Sequence, residues 1–497
     1  MQEITPRGRA ANIIGIDLGA SETRVARINE AGLPEIVWND VGELMTPSVI
    51  LFESLGITVG YEAKKLLGLG IPHVFSEFKR DLGTDKSWVI GGRTVTPVDL
   101  SALLLEKVVG DYARQFGTPD KIAITWPANF RNEQREATKS AALAAGLRDV
   151  VFVEEPVATT LHYASKIPLN GKVLLYSLGG STFDVTLLEA KGSDIRILHQ
   201  DGVQQLGGRD MDRALLNIIA DKYLAKTGEE LDVVDCSFGQ LQIETIRLRL
   251  NTRDSAQVLL VSCKHGPVLV DVSRKEFNSG ITPLLAQAEM ACEHVLRCGN
   301  ADPELHVRHS DISDVLMSGD LCQTPATHSS IVRLFNKNPK LIEPVQAAAL
   351  GAAIYAAIRY GKANLNPTPV APHFFGTSLL REDGCGVYND IVIRKGTGLP
   401  CRVERTYQTV TENQTSVNCD MTQSPIEEKD PDFVTKLWEG TLRLPPGLPA
   451  GSAIKVVFTC DVEGCAGMQI SLPEGGGPGA IFSTNQAPTP PLLSYER

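Results

Sequence analysis

The sequence predicts an α/β domain made of two similar halves, followed by a small all-β domain. The first observation is a strand–turn–strand motif that occurs twice, over residues 13–28 and 173–188. The second is the alternation of strand and helix patterns through residues 1–361. The third is the change after the proline-rich stretch 364–372, where the helical period ends and short alternating strands begin.

The repeated motif places a glycine turn between an apolar strand and a return strand, in IIGIDLGASETRVARI and again in VLLYSLGGSTFDVTLL. Four positions are identical between the copies: Leu18 with Leu178, Gly19 with Gly179, Ser21 with Ser181, and Val25 with Val185. Glycine lets such a turn bend tightly and leaves backbone N–H groups facing an anion. One such turn is most often an ordinary hairpin, but a duplication is typical of a fold with two similar halves. Two facing turns would hold the phosphates of one nucleotide from both sides.

Length and composition indicate an ordinary globular protein. The 497 residues are enough for two or more domains, with 43% apolar and 22% charged residues. The net charge of −11, without a basic cluster, argues against nucleic acid or an anionic membrane as a partner. Residues 1–12 lack the apolar core of a secretion signal, and the apolar run 347–358 is too short to span a bilayer.

The ten cysteines are scattered without the spacing of a disulfide framework. Cys460 and Cys465 bracket a turn, but they lack the second pair that tetrahedral zinc would need. We therefore expect a reduced, cytoplasmic protein.

The predicted elements follow the chain in order. Strands are predicted over 49–52, 121–125, 150–153 and 315–317, and helices over 63–70, 100–116, 132–145, 156–165, 211–223, 241–250 and 347–358. Strands of the all-β part are predicted over 402–409, 416–421, 437–444 and 454–463. The domain boundaries that follow are 1–361 for the α/β domain, 362–372 for a linker, 373–480 for the all-β domain and 481–497 for a disordered tail.

Charged pairs in the first domain each allow two interpretations. Lys79 and Arg80 either lie together on a solvated helix face, or the lysine is held over a phosphate. Glu154 and Glu155 end a strand just before a proline-initiated helix, which suits either a site at a sheet edge or helix-start acids favoured by the dipole.

Two further motifs precede or lie on helices. Gly207 and Gly208 lead into a helix N-terminus, a potential anion cradle. Glu244, Arg247 and Asn251 lie in a row on one helix face, and a surface salt bridge between the first two would explain them without a function.

In this order, the motifs resemble the DnaK-type heat-shock chaperones, the 70-kDa heat-shock protein family, over nearly the whole chain. The stretches that carry the resemblance are GIDLGASETRV, TPSVILF, FKRDLG, WPANFRNEQREATKSAALAAGL, VVFVEEPVATTLHYASK, VLLYSLGGSTFDVTLLEA and QLGGRDMDRALL, with residues 437–464 similar to the family's peptide-binding β-sandwich. The resemblance implies an actin-like ATPase domain that uses ATP, ADP and Mg²⁺. It also implies a domain for unfolded or extended polypeptide, with J-domain and nucleotide-exchange co-chaperones as partners.

Site residues follow from the resemblance position by position. Asp17 and Asp184 match the aspartates that hold Mg²⁺ through water, Lys79 matches the lysine on the terminal phosphate, and Glu155 matches the carboxylate near the attacking water. The matching nucleotide-binding positions are Gly19, Ala20, Ser21, Gly179, Gly180, Ser181, Thr182, Gly207, Gly208, Glu244, Arg247, Asn251 and Gly319. These residue types suit phosphoryl transfer to water, which needs cations on the phosphate and carboxylates on Mg²⁺.

The sequence departs from the family at several of these positions. The family has an aspartate where this chain has Ser177, and a serine hydroxyl cannot act as a general base near neutral pH. Glu154 is the alternative base. The other replacements are Ala20 for a hydroxyl residue, Asp320 for a serine, Cys322 for an adenine-stacking arginine and Val345 for an aspartate. We therefore expect a site that holds a nucleotide and hydrolyses it slowly.

We also expect the coupling parts to differ, because the stretch NLNPTPVAP lacks the family's leucine run, and we expect no helical lid after residue 480. Peptide release should then be fast and nearly independent of nucleotide. Two alternatives remain open. One is a non-hydrolysing, nucleotide-bound regulator or co-chaperone. The other is a small-molecule kinase of the actin-like fold, which would not carry the all-β domain.

Overall fold

The computed structural model describes residues 12–53, 56–180, 182–191, 194–203, 205–234, 236, 238–298, 307–361, 366–368, 370–381, 386–471 and 481–483. The chain forms two compact units, the first from Met1–Pro127 with Ala141–Asn366 and the second from Ala128–Ser140 with Pro367–Arg497. Among the helices in the described ranges, none combines the length and apolarity that a membrane span requires.

The strands of the α/β part are β1 (Ile13–Asp17), β2 (Glu22–Ile28), β3 (Pro34–Ile36), β4 (Thr46–Pro47), β5 (Val49–Glu53), β6 (Gly56–Val59), β7 (Val74–Ser76), β8 (Trp88–Ile90), β9 (Arg93–Val95), β10 (Lys121–Trp126), β11 (Val150–Glu154), β12 (Asn170–Leu178), β13 (Phe183–Lys191), β14 (Asp194–Val203), β15 (Ser255–Ser262), β16 (Gly266–Ser273) and β17 (Ile312–Ser318). The helices are α1 (Tyr61–Lys65), α2 (Pro97–Phe116), α3 (Asn132–Ala144), α4 (Glu155–Lys166), α5 (Gly208–Thr227), α6 (Gln240–Thr252), α7 (Arg274–Cys298), α8 (Pro325–Phe335) and α9 (Ala347–Arg359). The remaining strands are β18 (Asn366–Thr368), β19 (Phe374–Leu380), β20 (Val387–Ile393), β21 (Cys401–Gln408), β22 (Ser416–Ser424), β23 (Thr435–Arg443), β24 (Ala453–Cys460), β25 (Ala466–Ser471) and β26 (Ile481–Ser483).

The two halves of the first unit repeat one strand arrangement. In one sheet the order is β11-β10-β1-β2-β3, with β1 antiparallel to β2 and parallel to β10. In the other, β17, β12, β13 and β14 are neighbours in that order, with β12 antiparallel to β13 and parallel to β17. Each repeated motif is therefore a hairpin whose first strand also has a parallel neighbour. The predicted duplication and the mixed α/β class are confirmed.

Small residues let α9 pack closely in the first unit. A Cβ atom on Gly351 would lie 1.7 Å from the carbonyl oxygen of Ala158 on α4. A Cβ atom on Gly15 of β1 would lie 2.1 Å from the backbone nitrogen of Ala353. Only glycine fits at both contacts, because each space is already filled by backbone. This alanine-rich helix therefore packs closely against β1 and α4.

The second unit has two four-stranded sheets, in the orders β20-β19-β22-β23 and β21-β24-β25-β26. Their strand pairs are antiparallel, and apolar residues of both sheets form one core that includes Phe375, Met421 and Phe458. The prediction of an all-β domain made of short strands is therefore correct. The buried side chains of Ile454, Val456, Phe458 and Cys460 at alternate positions of β24 fit a strand with one face on a core.

The segment Ala128–Ser140 belongs to the second unit, and Arg135 is one of the residues that link it to the rest of that unit. This fully buried guanidinium donates to the carbonyl oxygens of Phe130 (3.1 Å), Ala128 (3.2 Å) and Glu463 (2.7 Å). A Cβ atom on Gly464 would lie 2.9 Å from Arg135 Nη1, so the turn after β24 fits around this side chain.

Some predicted boundaries are wrong. The helix predicted over 63–70 ends at Lys65, and turns follow it. The strand predicted over 454–463 ends at Cys460, because the Asp461 carboxylate accepts hydrogen bonds from the N–H groups of Glu463 and Cys465 and closes a turn. Strand β26 pairs with β25 beyond the predicted boundary at 480. The predicted linker contains β18, while its residues 362–365 and 369 lie outside the described ranges.

Candidate functional site

The two glycine turns of the repeated hairpins lie against each other. A Cβ atom on Gly180 would lie 2.3 Å from the hydroxyl oxygen of Ser21, so the turns approach as closely as a glycine permits. On the first turn, the Ser48 hydroxyl donates to the Gly19 carbonyl at 2.8 Å. The two motifs, 160 residues apart in the sequence, therefore meet in the first unit, and the region around their two turns is called the cleft below.

The turn at Gly207–Gly208 contacts the second of the two glycine turns. The Gly208 N–H donates to the Gly179 carbonyl at 3.1 Å, and the Arg209 N–H donates to the Gly180 carbonyl at 3.0 Å. Helix α5 therefore begins on the second glycine turn and points its N-terminus toward it. Gly319 lies on the other side, where a Cβ atom would be 2.1 Å from the Leu178 carbonyl oxygen. The N-terminus of a helix such as α5 suits an anion, because its first backbone N–H groups lack partners within the helix.

Three carboxylates converge on the same cleft. Asp17 ends β1, Asp184 lies near the start of β13, and Glu155 begins α4. Burial, and then the nearby Glu155 charge, raises the pKa of Asp17 above its ordinary value, although the Thr125 hydroxyl donates to its Oδ1 at 2.9 Å. The same two causes raise the pKa of Asp184 to about 7. The carboxylates therefore crowd one another, and added positive charge would relieve the crowding.

Lys79 is the cation among these carboxylates. It is 5% exposed, and its Nζ lies 2.8 Å from Glu155 Oε1. The solvated-face interpretation of this lysine is therefore wrong. Lys79, and Arg24 near Asp17, are outnumbered by the three carboxylates and Asp201 near Asp184, which suits a divalent cation coordinated by oxygen.

Ser177 lies directly opposite Asp184 in the β12–β13 ladder and beside Ser318 of β17. Directly opposite residues share a face of the sheet, so the serine hydroxyl is on the carboxylate side. The alternative base, Glu154, accepts a hydrogen bond from Gln200 Nε2 at 3.3 Å. Strand β14, which carries Gln200, was not predicted from the sequence.

A second polar cluster lies on α6. Arg247, 4% exposed, donates from Nε to Asp212 Oδ1 at 2.8 Å and from Nη2 to Asp320 Oδ2 at 3.3 Å. Glu244 pairs instead with Lys64, with 2.7 Å between Oε2 and Nζ. The alternative explanation, a surface salt bridge between Glu244 and Arg247, is therefore wrong.

Two buried polar atoms on this helix have no hydrogen-bond partner among the described residues: Arg247 Nη1 and Asn251 Oδ1. They are one donor and one acceptor, a helical turn apart on the same face. Buried polar atoms are normally hydrogen-bonded, so an unpaired donor and acceptor together suit a polar ligand.

The structure brings most of the predicted site residues into this region, and it adds some that the sequence reasoning missed. Ser181 lies outside the described residues. The missed residues are Lys64, Thr125, Gln200 and Asp212, which contact Glu244, Asp17, Glu154 and Arg247 respectively. Of these, Asp212 had a local signal, since it follows the Gly-Gly turn within one helical turn.

Comparison with known proteins decides the family. The family model described as Hsp70 protein matches residues 13–90 and 85–471. The chain belongs to the Hsp70 family. It is 30% identical over 466 residues to the Chaperone protein DnaK of Thermotoga petrophila, covering 91% of this chain and 77% of the relative. The protein of the same name from Thermosipho africanus is 29% identical over 471 residues, covering 91% of this chain and 76% of the relative.

Membership of the Hsp70 family confirms the resemblance drawn from the ordered motifs. It also agrees with the fold class, an actin-like duplicated domain followed by a β-sandwich. The family match extends through residue 471, so it includes most of the described β-sandwich as well as the cleft. A kinase of the same fold, the third interpretation, does not account for that second part.

Proposed function

We propose that this chain is an ATP-binding chaperone of the Hsp70 family that hydrolyses ATP slowly. The observation that carries the proposal is the meeting of Lys79 and three carboxylates between two facing glycine turns. Lys79 and the turn backbones would receive the phosphates, and Asp17 and Asp184 would hold Mg²⁺ through water. Mg²⁺ bound there would neutralise charge on the phosphates during transfer to water.

The residues present fit a purine nucleotide. Burial first, and then the nearby Glu155 charge, raises the pKa of Asp17 and Asp184, and a divalent cation bound beside them would favour their ionised forms. The unpaired Arg247 Nη1 and Asn251 Oδ1 supply one donor and one acceptor for the nucleoside part. Glu244, held by Lys64, would complete that end of the site.

Slow hydrolysis follows from Ser177. A general base must take a proton from the attacking water, and such a group contributes typically 10²–10⁴-fold. The serine hydroxyl opposite Asp184 cannot take this proton near neutral pH. Glu155, which is paired with Lys79, would then orient water without being a strong base.

The second unit would bind extended, hydrophobic polypeptide by strand-like contacts. Val410 follows β21 and is 63% exposed. Its loop is braced by Gln414, whose Oε1 accepts from the Val410 N–H at 2.9 Å and whose Nε2 donates to the Ser416 carbonyl at 2.9 Å. An apolar side chain held outward by a hydrogen-bonded loop suits packing against a peptide. We place this activity in the cytoplasm, with J-domain and nucleotide-exchange proteins as partners.

Calorimetric titration with ATP and ADP, with and without Mg²⁺, tests the nucleotide site. We expect Mg²⁺-dependent binding that Asp17→Asn weakens at least tenfold, while Glu62→Gln, an exposed helix position in the same unit, leaves it unchanged. Single-turnover hydrolysis then separates the alternatives. Slow but measurable turnover supports a chaperone ATPase, and tight binding with no turnover supports the non-hydrolysing regulator.

Fluorescence anisotropy with a labelled apolar heptapeptide tests the second unit. Val410→Asp should weaken binding about tenfold or more, because it places a charge against an apolar peptide. Leu259→Asp is the matched control, since Leu259 is 60% exposed on the first unit. Equal affinity for both variants would contradict the placement of the peptide at the Val410 loop.

A further inference from the structure

Two thiols of the second unit lie directly opposite each other in a β-ladder. Cys401 is the first residue of β21 and Cys460 is the last residue of β24, and the antiparallel register pairs them. Opposite residues in an antiparallel pair share one face and have Cα atoms about 4.5–5.5 Å apart. A disulfide needs a Cα separation of about 4.4–6.8 Å. The backbone spacing of the folded sheet therefore already suits a disulfide between them.

The pair is reachable from solvent on one side. Cys460 is 1% exposed, whereas Cys401 is only partly buried. Both line a cleft of about 380 Å³ at the end of the sheet, together with Arg402, Asp461 and Cys465. A small reagent that enters this cleft would meet Cys401 first, and Cys460 would be the second thiol to react.

Four other cysteines in the described ranges, Cys292, Cys322, Cys465 and Cys419, are less suited to this chemistry. Burial raises the pKa of the Cys292 and Cys322 thiols, as it does for Cys401 and Cys460, but Cys292 and Cys322 are 0% exposed, whereas Cys401 is only partly buried. Cys465 lines the same cleft, but its Sγ lies 2.9 Å from Lys139 Nζ and is held on that side. Cys419 faces Gly440 across its ladder and has no thiol opposite it.

We propose that Cys401 and Cys460 form a reversible thiol–disulfide modification site that reacts with small disulfides. In the first step the Cys401 thiolate attacks a small disulfide, forms a mixed disulfide and releases one thiolate. In the second step Cys460 loses its proton, attacks the Cys401 sulfur and releases the second thiolate. The net reaction converts two protein thiols and one small disulfide into one protein disulfide and two small thiols.

The bond would fasten one end of the β21–β24 ladder. At the other end, Gln408 pairs with Ala453, next to the loop that carries Val410. The bond would lie beside the Asp461 turn, whose Glu463 carbonyl accepts from Arg135. Oxidation should therefore stabilise the second unit against heat without changing the peptide-binding end.

The test equilibrates the folded full-length protein with oxidised and reduced glutathione at pH 8.5, followed by alkylation, digestion and mass spectrometry. We expect a peptide that links residues 401 and 460 in the wild type and in Cys465→Ser, and its loss in Cys401→Ser. The partly exposed position of Cys401 makes this last variant a safer test than a change at the buried Cys460. A folded protein that yields no such peptide, or that links Cys460 to Cys465, would overturn the proposal.

Thermal unfolding gives an independent readout. The oxidised wild type should unfold several degrees higher than the reduced form, and Cys401→Ser should show no difference between the two conditions. Peptide affinity should be equal in both redox states. A lower unfolding temperature in the oxidised wild type would contradict a disulfide that fits the native spacing.

Discussion

Replacing Ser177 with aspartate adds a fourth carboxylate to the cleft, directly opposite Asp184. At about 5 Å and an effective dielectric constant of about 20, two such charges repel by about 3 kcal/mol. At pH 8 the pair avoids most of this repulsion by protonating Asp184, whose pKa is about 7, at a cost of about 1.4 kcal/mol, so without nucleotide the free energy of unfolding should fall by about that amount. At pH 5.5 Asp184 is protonated, because its pKa is about 7, and the loss should nearly disappear.

The same substitution should increase hydrolysis when Mg²⁺ and ATP are bound. Positive charge in the cleft then offsets the repulsion, and the new carboxylate can take a proton from water. We expect single-turnover hydrolysis to rise by roughly 10²–10⁴-fold. Ser177→Asn is the matched control, because it has nearly the same size as aspartate without the charge. It should change neither the rate nor the pH dependence of stability.

Denaturant unfolding at pH 5.5 and pH 8, together with quenched-flow hydrolysis, checks both parts. A Ser177→Asp protein that binds Mg²⁺-ATP normally and hydrolyses it no faster would show that the missing aspartate does not limit turnover. Equal stability at both pH values would refute the crowding of carboxylates around Asp184.

Three further predictions test the cleft and its framework. Below pH 7, the affinity for Mg²⁺-ADP measured by calorimetry should increase by up to tenfold for each unit that the pH increases, because Mg²⁺ requires ionised Asp184. Above pH 7 the affinity should become constant. Asp184→Asn should remove most of this pH dependence. Lys79→Met should lower the free energy of unfolding by about 3–5 kcal/mol by leaving Glu155 unpaired, and adding Glu155→Gln should restore much of it. Gly351→Ala should destabilise the protein by at least about 1–3 kcal/mol in denaturant unfolding, because the new Cβ atom would meet backbone. Gly110→Ala on α2 is the control and should stabilise the protein by about 0.5–1 kcal/mol. Equal effects of the two glycine changes would contradict the packing of α9.

The elements that could be predicted are those that rest on local patterns. The helical spacing over 100–116 and the alternation over 454–460 depend on neighbouring residues, and both elements exist as Pro97–Phe116 and Ala453–Cys460. Element ends were less predictable. Strand β24 stops where the Asp461 side chain caps a turn, and the sequence pattern alone continued the alternation past that point.

Pairing of charges could not be predicted from the sequence, because it depends on long-range contacts. Glu244 and Arg247 are three residues apart on one helix, yet each pairs with a residue of a distant element. Lys79 and Arg80 look alike in the sequence. Only Lys79 is enclosed beside Glu155, which lies 76 residues away. A one-dimensional pattern identifies which residues can carry charge chemistry, and the fold decides which of them meet.

Ser177, which stands where the family has an aspartate, has a consequence beyond the lack of a general base at this position. When no cation is bound, repulsion acts between the carboxylates of Asp17, Glu155 and Asp184, and Lys79 offsets only part of it. A serine opposite Asp184 removes the fourth charge and keeps the residues proposed to hold Mg²⁺ and phosphate. The cleft is then less strained when empty, so the difference in stability between the empty and the nucleotide-bound protein should be smaller. A chain of this kind would respond to nucleotide mainly by binding it, and Ser177→Asp should increase both the turnover and the stabilisation that Mg²⁺-ATP provides.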